Sequence, residues 1–198
     1  MSLKRFTIGA LLSVCAFTIP ALAQKNELSG LIGRTFISDQ GIKGSTLSDN
    51  KLHFGNGLSF EANYARRVID KDFLSLALEV PVVVNPDEDW HAPTNPVGQY
   101  WSYFVTPAAR LNVFSQQAVS PWISVGGGFG HFSVSSPNTG TTTGVFQAGL
   151  GLDVKIFGRF GLRLAARDFW SGVPQLNVDT GKSRQHNIFV AGGIVWHF

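Results

Sequence analysis

Two residues near the middle of the chain could carry out acyl transfer, because His131 and Ser133 are separated by a single residue. A serine hydroxyl becomes a nucleophile when a histidine lies within hydrogen-bond reach and a third group, usually a carboxylate, orients the ring. The sequence contains no Glu after Glu88, although Asp153 or Asp168 could supply such a carboxylate. The pair is therefore a weak catalytic signal, and we expect that the protein is not an enzyme.

Two further stretches contain residue types found in ligand sites. The acidic run Asp87-Glu88-Asp89, followed by His91, has oxygen and nitrogen ligands for a divalent cation. Such a run is more often a solvated loop, and we expect no metal site. The Gly-rich stretch Val125–Gly130 has the composition of a phosphate loop, but that loop needs a helix directly after it. The sequence continues instead as a strand pattern, and we expect no cofactor.

The N-terminus has the pattern of a secretory signal peptide. A basic pair is followed by an apolar stretch over residues 6–19 and by the small-x-small cleavage site Ala21-Leu22-Ala23. We expect residues 1–23 to be removed, which leaves a single mature domain of residues 24–198. The apolar stretch is too short to cross a membrane as a helix.

The composition of the mature domain excludes several classes of protein. Cys15, the only cysteine, lies in the expected signal peptide, so the mature domain has no disulfide. Of the 16 basic residues Lys4 and Arg5 are also removed, which leaves 14 against 13 acidic residues and argues against a nucleic-acid partner. Beyond residue 23 no apolar stretch approaches the roughly 18–20 residues of a membrane helix.

The mature sequence alternates with a period of two. The pattern is clearest over residues 144–156, where apolar side chains from Phe146 to Ile156 alternate with Gln147, Gly149, Gly151, Asp153 and Lys155. This alternation places the two sets on opposite faces of a strand. Seven similar runs give eight predicted strands of about 10–15 residues. The phase of the first one, Leu28–Ile37, stays open because apolar residues occupy both parities.

The links between the predicted strands alternate in length. The short links are Asp70–Asp72, Ser115–Pro121 and Phe157–Arg159, and the long polar links cover residues 38–56, 85–98, 135–142 and 171–182. This alternation is typical of an up-and-down barrel, in which short turns lie at one end and long loops at the other.

An eight-strand up-and-down pattern fits two folds, which differ in the direction of the apolar face. In a soluble lipocalin-like barrel that face points inward, whereas in a transmembrane barrel it meets lipid and polar residues fill the lumen. Glycines such as Gly126 and Gly149 on the polar face favour the membrane fold, since in a narrow lumen they make room for long side chains. We therefore predict an all-β, eight-stranded antiparallel transmembrane β-barrel. Its predicted lumen charge network comprises Glu61, Arg67, Glu79, Arg110, Asp153, Lys155, Arg163 and Arg167.

The last strand carries Ile194, Trp196 and Phe198 on its predicted lipid-facing row. A C-terminal Phe with apolar residues at the third and fifth positions from the end resembles the assembly signal of bacterial outer-membrane barrels. The segment Phe146–Phe169 resembles the penultimate hairpin of the small OmpA/OmpX-like β-barrel family. The resemblance implies a location in the outer membrane, with outer membrane lipid, lipopolysaccharide and the barrel assembly machinery as partners. The sequence ends with the barrel, so anchoring to the cell wall is not implied.

The expected role is structural, in membrane integrity, or interactive, through four outer loops that would bind any extracellular ligand. We expect a monomer with both termini in the periplasm and no open pore, because eight strands enclose an interior just wide enough for side chains. One alternative is a narrow conduit for small apolar solutes that leave sideways. Another is a lipid A-modifying esterase that uses His131 and Ser133. The lipid A deacylase family has such a pair, but its orienting Glu and the Asn after its Ser are absent here, where Val134 follows Ser133.

Overall fold

The computed structural model of the protein describes residues 25–43, 51–55, 57–71, 73–92, 95–135, 139–174 and 180–198. The expected signal peptide lies outside these ranges. The described residues form eleven β-strands: β1 (Asn26–Ile37), β2 (Gln40–Gly41), β3 (Lys51–Phe54), β4 (Leu58–Asp70), β5 (Leu74–Ala92), β6 (Asn95–Val105), β7 (Ala108–Val113), β8 (Val119–Val134), β9 (Thr139–Phe157), β10 (Phe160–Gly172) and β11 (Arg184–His197). They contain no helix long and apolar enough to cross a membrane.

The strands close into an antiparallel ring. Its order is β1, β4, β5, β6 with β7, β8, β9, β10 and β11, and β11 pairs again with β1 from Glu27 opposite His197 to Ile37 opposite Asn187. With β6 and β7 taken as one strand, and with the short strands β2 and β3 outside the ring, the described residues form the eight-stranded up-and-down barrel that the sequence predicts. We call the end of the barrel where Asn26 and Phe198 pair the terminal end, and the opposite end the hairpin end.

One barrel strand is interrupted at Pro107. The register with β5 is the same on both sides of the break, from Val82 opposite Val105 to Glu79 opposite Ala108. Proline has no backbone N–H, so the ladder loses a donor at this position and again at Pro81 on the neighbouring strand. The register shows that β6 and β7 are one barrel strand, as the sequence predicts.

The hairpins at the hairpin end differ from the predicted links. Residues 85–98 and 135–142 are predicted as loops, but β5 continues to Ala92, β6 begins at Asn95 and β9 begins at Thr139. Within the predicted link 38–56, the short strands β2 and β3 extend the sheet, and β3 pairs with β5. The loop prediction was wrong for these segments because their Asn, Asp and Pro residues are typical of turns. At the terminal end the predicted link Ser115–Pro121 is also shorter, since β8 begins at Val119.

The outer surface of the ring is apolar. Side chains more than half exposed include Ile32, Leu58, Leu78, Ile123, Val125, Leu150, Leu164 and Ile194. The polar residues of the same strands are buried in the lumen, which confirms the predicted membrane-type arrangement of the two faces. Charged residues on the outward face include Arg34, Arg66, Asp168 and Arg184, and Asp168 Oδ2 lies 2.6 Å from Nδ1 of His186.

Candidate functional site

The hairpin of β9 and β10 positions the first ion pair of the lumen. Its register sets Arg163 opposite Asp153, as the predicted Phe157–Arg159 turn requires. Arg163 donates to both carboxylate oxygens, with Nε–Oδ1 and Nη2–Oδ2 distances of 2.7 Å. Successive side chains of a strand point to opposite faces, and Asp153 and Arg163 both occupy inward positions of their strands. This bidentate pair fixes the orientation of the guanidinium at the terminal end of the lumen.

Glu27 on β1 joins three arginines that come from different strands. Its carboxylate accepts hydrogen bonds from Arg67 Nε at 2.9 Å, from Arg163 Nη2 at 3.0 Å and from Arg110 Nη2. The sequence prediction missed Glu27, because the phase of the first strand was open. The inward and outward positions of β4 and β11 fix those of β1, which pairs with both strands. This information is available only once the order of the strands in the ring is known.

A second cluster lies on the hairpin side of the first. Arg167 donates to both oxygens of Glu61, at 3.0 and 3.2 Å, and to Glu79 at 2.7 Å. Arg110 also donates to Glu79, at 3.3 Å, and thereby connects the two clusters. The structure thus brings seven of the eight predicted network residues into one connected set with Glu27.

The charges of this set balance. Four arginines, Arg67, Arg110, Arg163 and Arg167, face four carboxylates, Glu27, Glu61, Glu79 and Asp153. Burial of a charge costs several kcal/mol, and a partner with good geometry offsets that cost. Replacing one charged member by a neutral residue would leave a buried charge without its partner. The eight residues are therefore energetically coupled, and together they fill the terminal half of the lumen.

Trp122 stands among the guanidinium groups. Its ring centroid lies 5.1 Å from Cζ of Arg167, 5.7 Å from that of Arg163 and 5.9 Å from that of Arg110. Its Nε1 donates to Asp153 Oδ1 at 3.1 Å. A cation over an aromatic face is attracted by the ring quadrupole. The sequence prediction missed Trp122, although its parity matches that of Ser124 and places it on the inward face.

The hairpin half of the lumen contains apolar side chains. The rings of Phe104 and Phe169 stack at 4.9 Å, and Phe132 meets Phe104 edge to face at 5.7 Å. Further buried apolar residues in this cluster are Leu31, Leu52, Trp90, Tyr100, Val134, Val145 and Phe189. The prediction that polar residues fill the lumen is therefore incomplete for this half, where these apolar side chains lie beside buried polar ones such as Thr35, Asn85, Ser102 and Asn187. Inward aromatic positions are hard to recognise because their alternation partners, on the lipid side, are also apolar.

Lys155 departs from the prediction for the network. It has the inward parity of β9 but lies at the exposed rim of the terminal end, where Nζ donates to the backbone carbonyl of Ser115 at 3.0 Å. The prediction failed because alternation fixes the face of a residue and not its height along the barrel. Arg67 also lies near this rim, with Asp70 3.7 Å from its Nη1.

The inward glycines make room for more than arginine. A methyl group at Gly149 would lie 2.7 Å from Oγ of Ser124, 2.9 Å from Nε2 of Gln147 and 3.2 Å from Cγ of Arg167, which comes from the neighbouring strand and not from the opposite wall. A methyl group at Gly151 would instead clash with the Trp122 ring, and one at Gly130 would lie 2.7 Å from the Phe104 ring. The bulky groups that these glycines accommodate therefore include aromatic rings.

The His131–Ser133 pair lies on the outward parity of β8. His131 Nδ1 is 2.8 Å from the hydroxyl of Thr142, so an uncharged group orients the ring. Neither candidate carboxylate is available, since Asp153 binds Arg163 in the lumen and Asp168 pairs with His186. The ring packs instead beside Tyr103, with a centroid separation of 5.5 Å. The geometry therefore lacks the carboxylate that a catalytic triad requires.

The acidic run is divided by the alternation of β5. Glu88 points inward and is fully buried, whereas Asp87 and Asp89 are exposed on the other face. The three carboxylates therefore do not converge on one point. Burial raises the pKa of Glu88 to about 7, assisted by the charges of Asp87 and Asp89 and opposed by a hydrogen bond from the Gly57 N–H.

The C-terminal residues complete the outward row of β11. Ile194 and Trp196 are exposed to the outside, and the rings of Trp196 and Phe198 stack at 4.7 Å. The backbone of Phe198 exchanges hydrogen bonds with that of Asn26, at 2.9 and 3.0 Å. The last residue therefore extends the ladder between β11 and β1.

No family model matches the chain, and no curated protein matches its sequence. Solved structures do match its fold. The Neisserial surface protein A is 14% identical, with a TM-score of 0.54 over 90% of this chain and 100% of that one. The outer membrane protein OprG from Pseudomonas aeruginosa is 10% identical, with a TM-score of 0.54 over 89% and 97%. The chain therefore has the fold of the small outer membrane β-barrel proteins.

Proposed function

We propose that this chain is a non-enzymatic integral protein of the bacterial outer membrane, related to the OmpA/OmpX-like barrels, with a role in membrane integrity or surface interaction. The observation that carries the proposal is the combination of an apolar outer face with a lumen closed in two layers, one ionic and one aromatic. Such a barrel has a surface for lipid and a rigid end for contacts, and its filled lumen has little room for a substrate.

The hairpin end is the surface that we assign to partners outside the cell. Strands β5 and β6 extend beyond the ring, which gives the exposed Asp87, Asp89 and His91 a rigid support. Short turns at the terminal end fit a periplasmic orientation of both termini. Outer membrane lipid and lipopolysaccharide are the partners of the apolar wall, and Ile194, Trp196 and Phe198 are the contact for the assembly machinery.

Two activities would contradict the proposal, and one preparation tests both. Purified full-length barrel in planar lipid bilayers is expected to show no steady conductance, with a large porin as the positive control. The same preparation incubated with lipid A is expected to release no fatty acid, and Ser133→Ala is expected to behave as the wild type. Stable conductance that selects for a solute would support the conduit. Acyl release that disappears in Ser133→Ala would support the esterase.

A further inference from the structure

An open cavity of about 220 Å³ lies at the terminal end of the barrel. Residues that line it include Arg67, Asp70, Gln116, Lys155, Phe160 and His197. These residues belong to β4, β9, β10, β11 and the turn before β8, so the cavity is the mouth of the lumen. One water needs about 10–15 Å³ of such space, so this mouth has room for several waters or for one small organic molecule.

The cavity is closed on its inner side. A recess of about 10 Å³ continues from it between Asn112, Ser120 and Asp153, which is room for one water at most. Beyond this recess Asp153 is bound to Arg163 and Trp122. A molecule that enters the mouth therefore reaches a polar floor and goes no further.

Two cationic side chains from opposite walls line this cavity. Arg67 belongs to β4 and Lys155 to β9, which lie four places apart in the ring of eight. Within the described residues, the Lys155 ammonium has the Ser115 carbonyl as its hydrogen-bond acceptor and no carboxylate within 4.0 Å. Asp70 also lines the cavity, with Oδ2 3.7 Å from Nη1 of Arg67, so the charge that has no nearby partner is that of Lys155. An anion between the two cations would pair with Lys155 and reduce its repulsion with Arg67.

The guanidinium in the mouth also has donors without an acceptor. Arg67 uses Nε for Glu27, but its Nη1 is 3.7 Å from Asp70, too far for a hydrogen bond. The His197 ring also lines the cavity, but its Nδ1 is buried 3.6 Å from Glu27 and is not accessible from the mouth.

We propose that this mouth is a binding site for a small anion with a carboxylate or phosphate group, held between Arg67 and Lys155. The guanidinium donates from one wall through Nη1 and Nη2, and the ammonium donates from the other. The site does not depend on the role proposed for the hairpin end, and it would exist equally in a structural barrel or in a conduit.

The test uses the full-length barrel in neutral detergent at pH 7 and constant ionic strength, titrated by calorimetry with inorganic phosphate, succinate and chloride. We expect phosphate or succinate to bind at least tenfold more tightly than chloride. Lys155→Gln should weaken that binding at least tenfold, and Lys155→Arg should restore it to within about threefold of the wild type. Arg159→Gln removes a positive charge from the neighbouring exposed turn and should leave binding unchanged.

The relative affinities identify the ligand group, since a preference for phosphate assigns a phosphate ligand and a preference for succinate a carboxylate. Binding of both anions no tighter than that of chloride would overturn the proposal. So would an equal loss in Arg159→Gln and Lys155→Gln, because the effect would then be one of overall charge. The Lys155 side chain is exposed, so its variants are expected to fold. Heat-modifiable mobility on gels verifies folding for each preparation.

Discussion

Arg163 and Asp153 face each other across one hairpin and form a bidentate ion pair with two 2.7 Å hydrogen bonds. Arg163 also reaches Glu27 at 3.0 Å, so a single guanidinium connects a local hairpin contact to the strand that closes the ring. The pair therefore links the folding of the β9–β10 hairpin to closure of the barrel.

Replacing Arg163 should destabilise the barrel. Arg163→Leu leaves Asp153 and Glu27 buried with one cation fewer, at a cost of about 3–5 kcal/mol. Urea unfolding in lipid bilayers measures this loss. Arg159→Leu, in the exposed turn of the same hairpin, should change the free energy of unfolding by less than about 0.5 kcal/mol. Equal midpoints for Arg163→Leu and the wild type would show that the network does not stabilise the fold.

The neighbouring residue tests the opposite face. Leu164 is 58% exposed on the lipid-facing row. Leu164→Arg should cost about 2–4 kcal/mol if the side chain lies near the bilayer midplane, because the charge enters hydrocarbon. Leu164→Ala, which adds no charge, is the control and should cost less. If Leu164→Arg unfolded at the wild-type urea concentration, the outward face would not be in contact with lipid.

The sequence predicts the hairpin contacts better than the contacts between distant strands. Asp153 and Arg163 follow from one turn and a period of two, so their pairing needs no knowledge of the ring. Glu27 could not be placed, since Leu28 and Leu31 are both apolar but point in opposite directions. Lys155 was correctly predicted to lie on the inward face of its strand, but it lies at the exposed rim and not within the network. The alternation does not give its height along the barrel, because that height depends on the tilt of the strands.

The inner aromatic layer could not be predicted for another reason. Phe104 and Phe169 are buried in the lumen, although their chain neighbours Tyr103 and Trp170 are also aromatic and face outward. In such stretches both faces are apolar, and alternation of polarity gives no signal. Only the closed barrel shows which of the aromatic side chains point inward.

The buried Glu88 should make stability depend on pH. Glu88 lies four residues beyond Val84, the last residue of β5 that pairs with β4. The pKa of its carboxyl group is raised from 4.5 to about 7. The folded state thus holds a proton that the unfolded state releases, so stability falls as pH rises from about 4.5 to 7 and is constant above that. The loss should be about 3 kcal/mol.

Glu88→Gln isolates this effect, because an amide does not titrate in this range. The difference in free energy of unfolding between the variant and the wild type should grow from pH 4.5 to pH 7. Asp89→Asn, at an exposed position of the same strand, removes one of the two charges that assist the raised pKa and should move the fall in stability slightly to lower pH without abolishing it. Parallel profiles for Glu88→Gln and the wild type would contradict the raised pKa.

The last residue should matter more for assembly than for stability. Phe198→Ala removes one rim aromatic, worth about 1–3 kcal/mol at most, yet it alters the proposed contact with the assembly machinery. We expect much less folded barrel in the outer membrane, measured by heat-modifiable mobility on gels, and little change in refolding from urea. Phe157→Ala removes an exposed aromatic from the same end and should assemble normally. Wild-type levels of folded Phe198→Ala would remove the assembly role.

Labelling of single cysteines on intact cells tests the central claim most directly, namely that the barrel crosses the outer membrane with its hairpin end outside. The only natural cysteine lies in the expected signal peptide, so Lys182→Cys and Lys71→Cys each give one site, at the hairpin end and at the terminal end. With a membrane-impermeant maleimide, Lys182→Cys should be labelled on intact cells. Lys71→Cys should be labelled only after the outer membrane is opened. The reverse pattern, or labelling of neither site on intact cells and both after opening, would contradict the account.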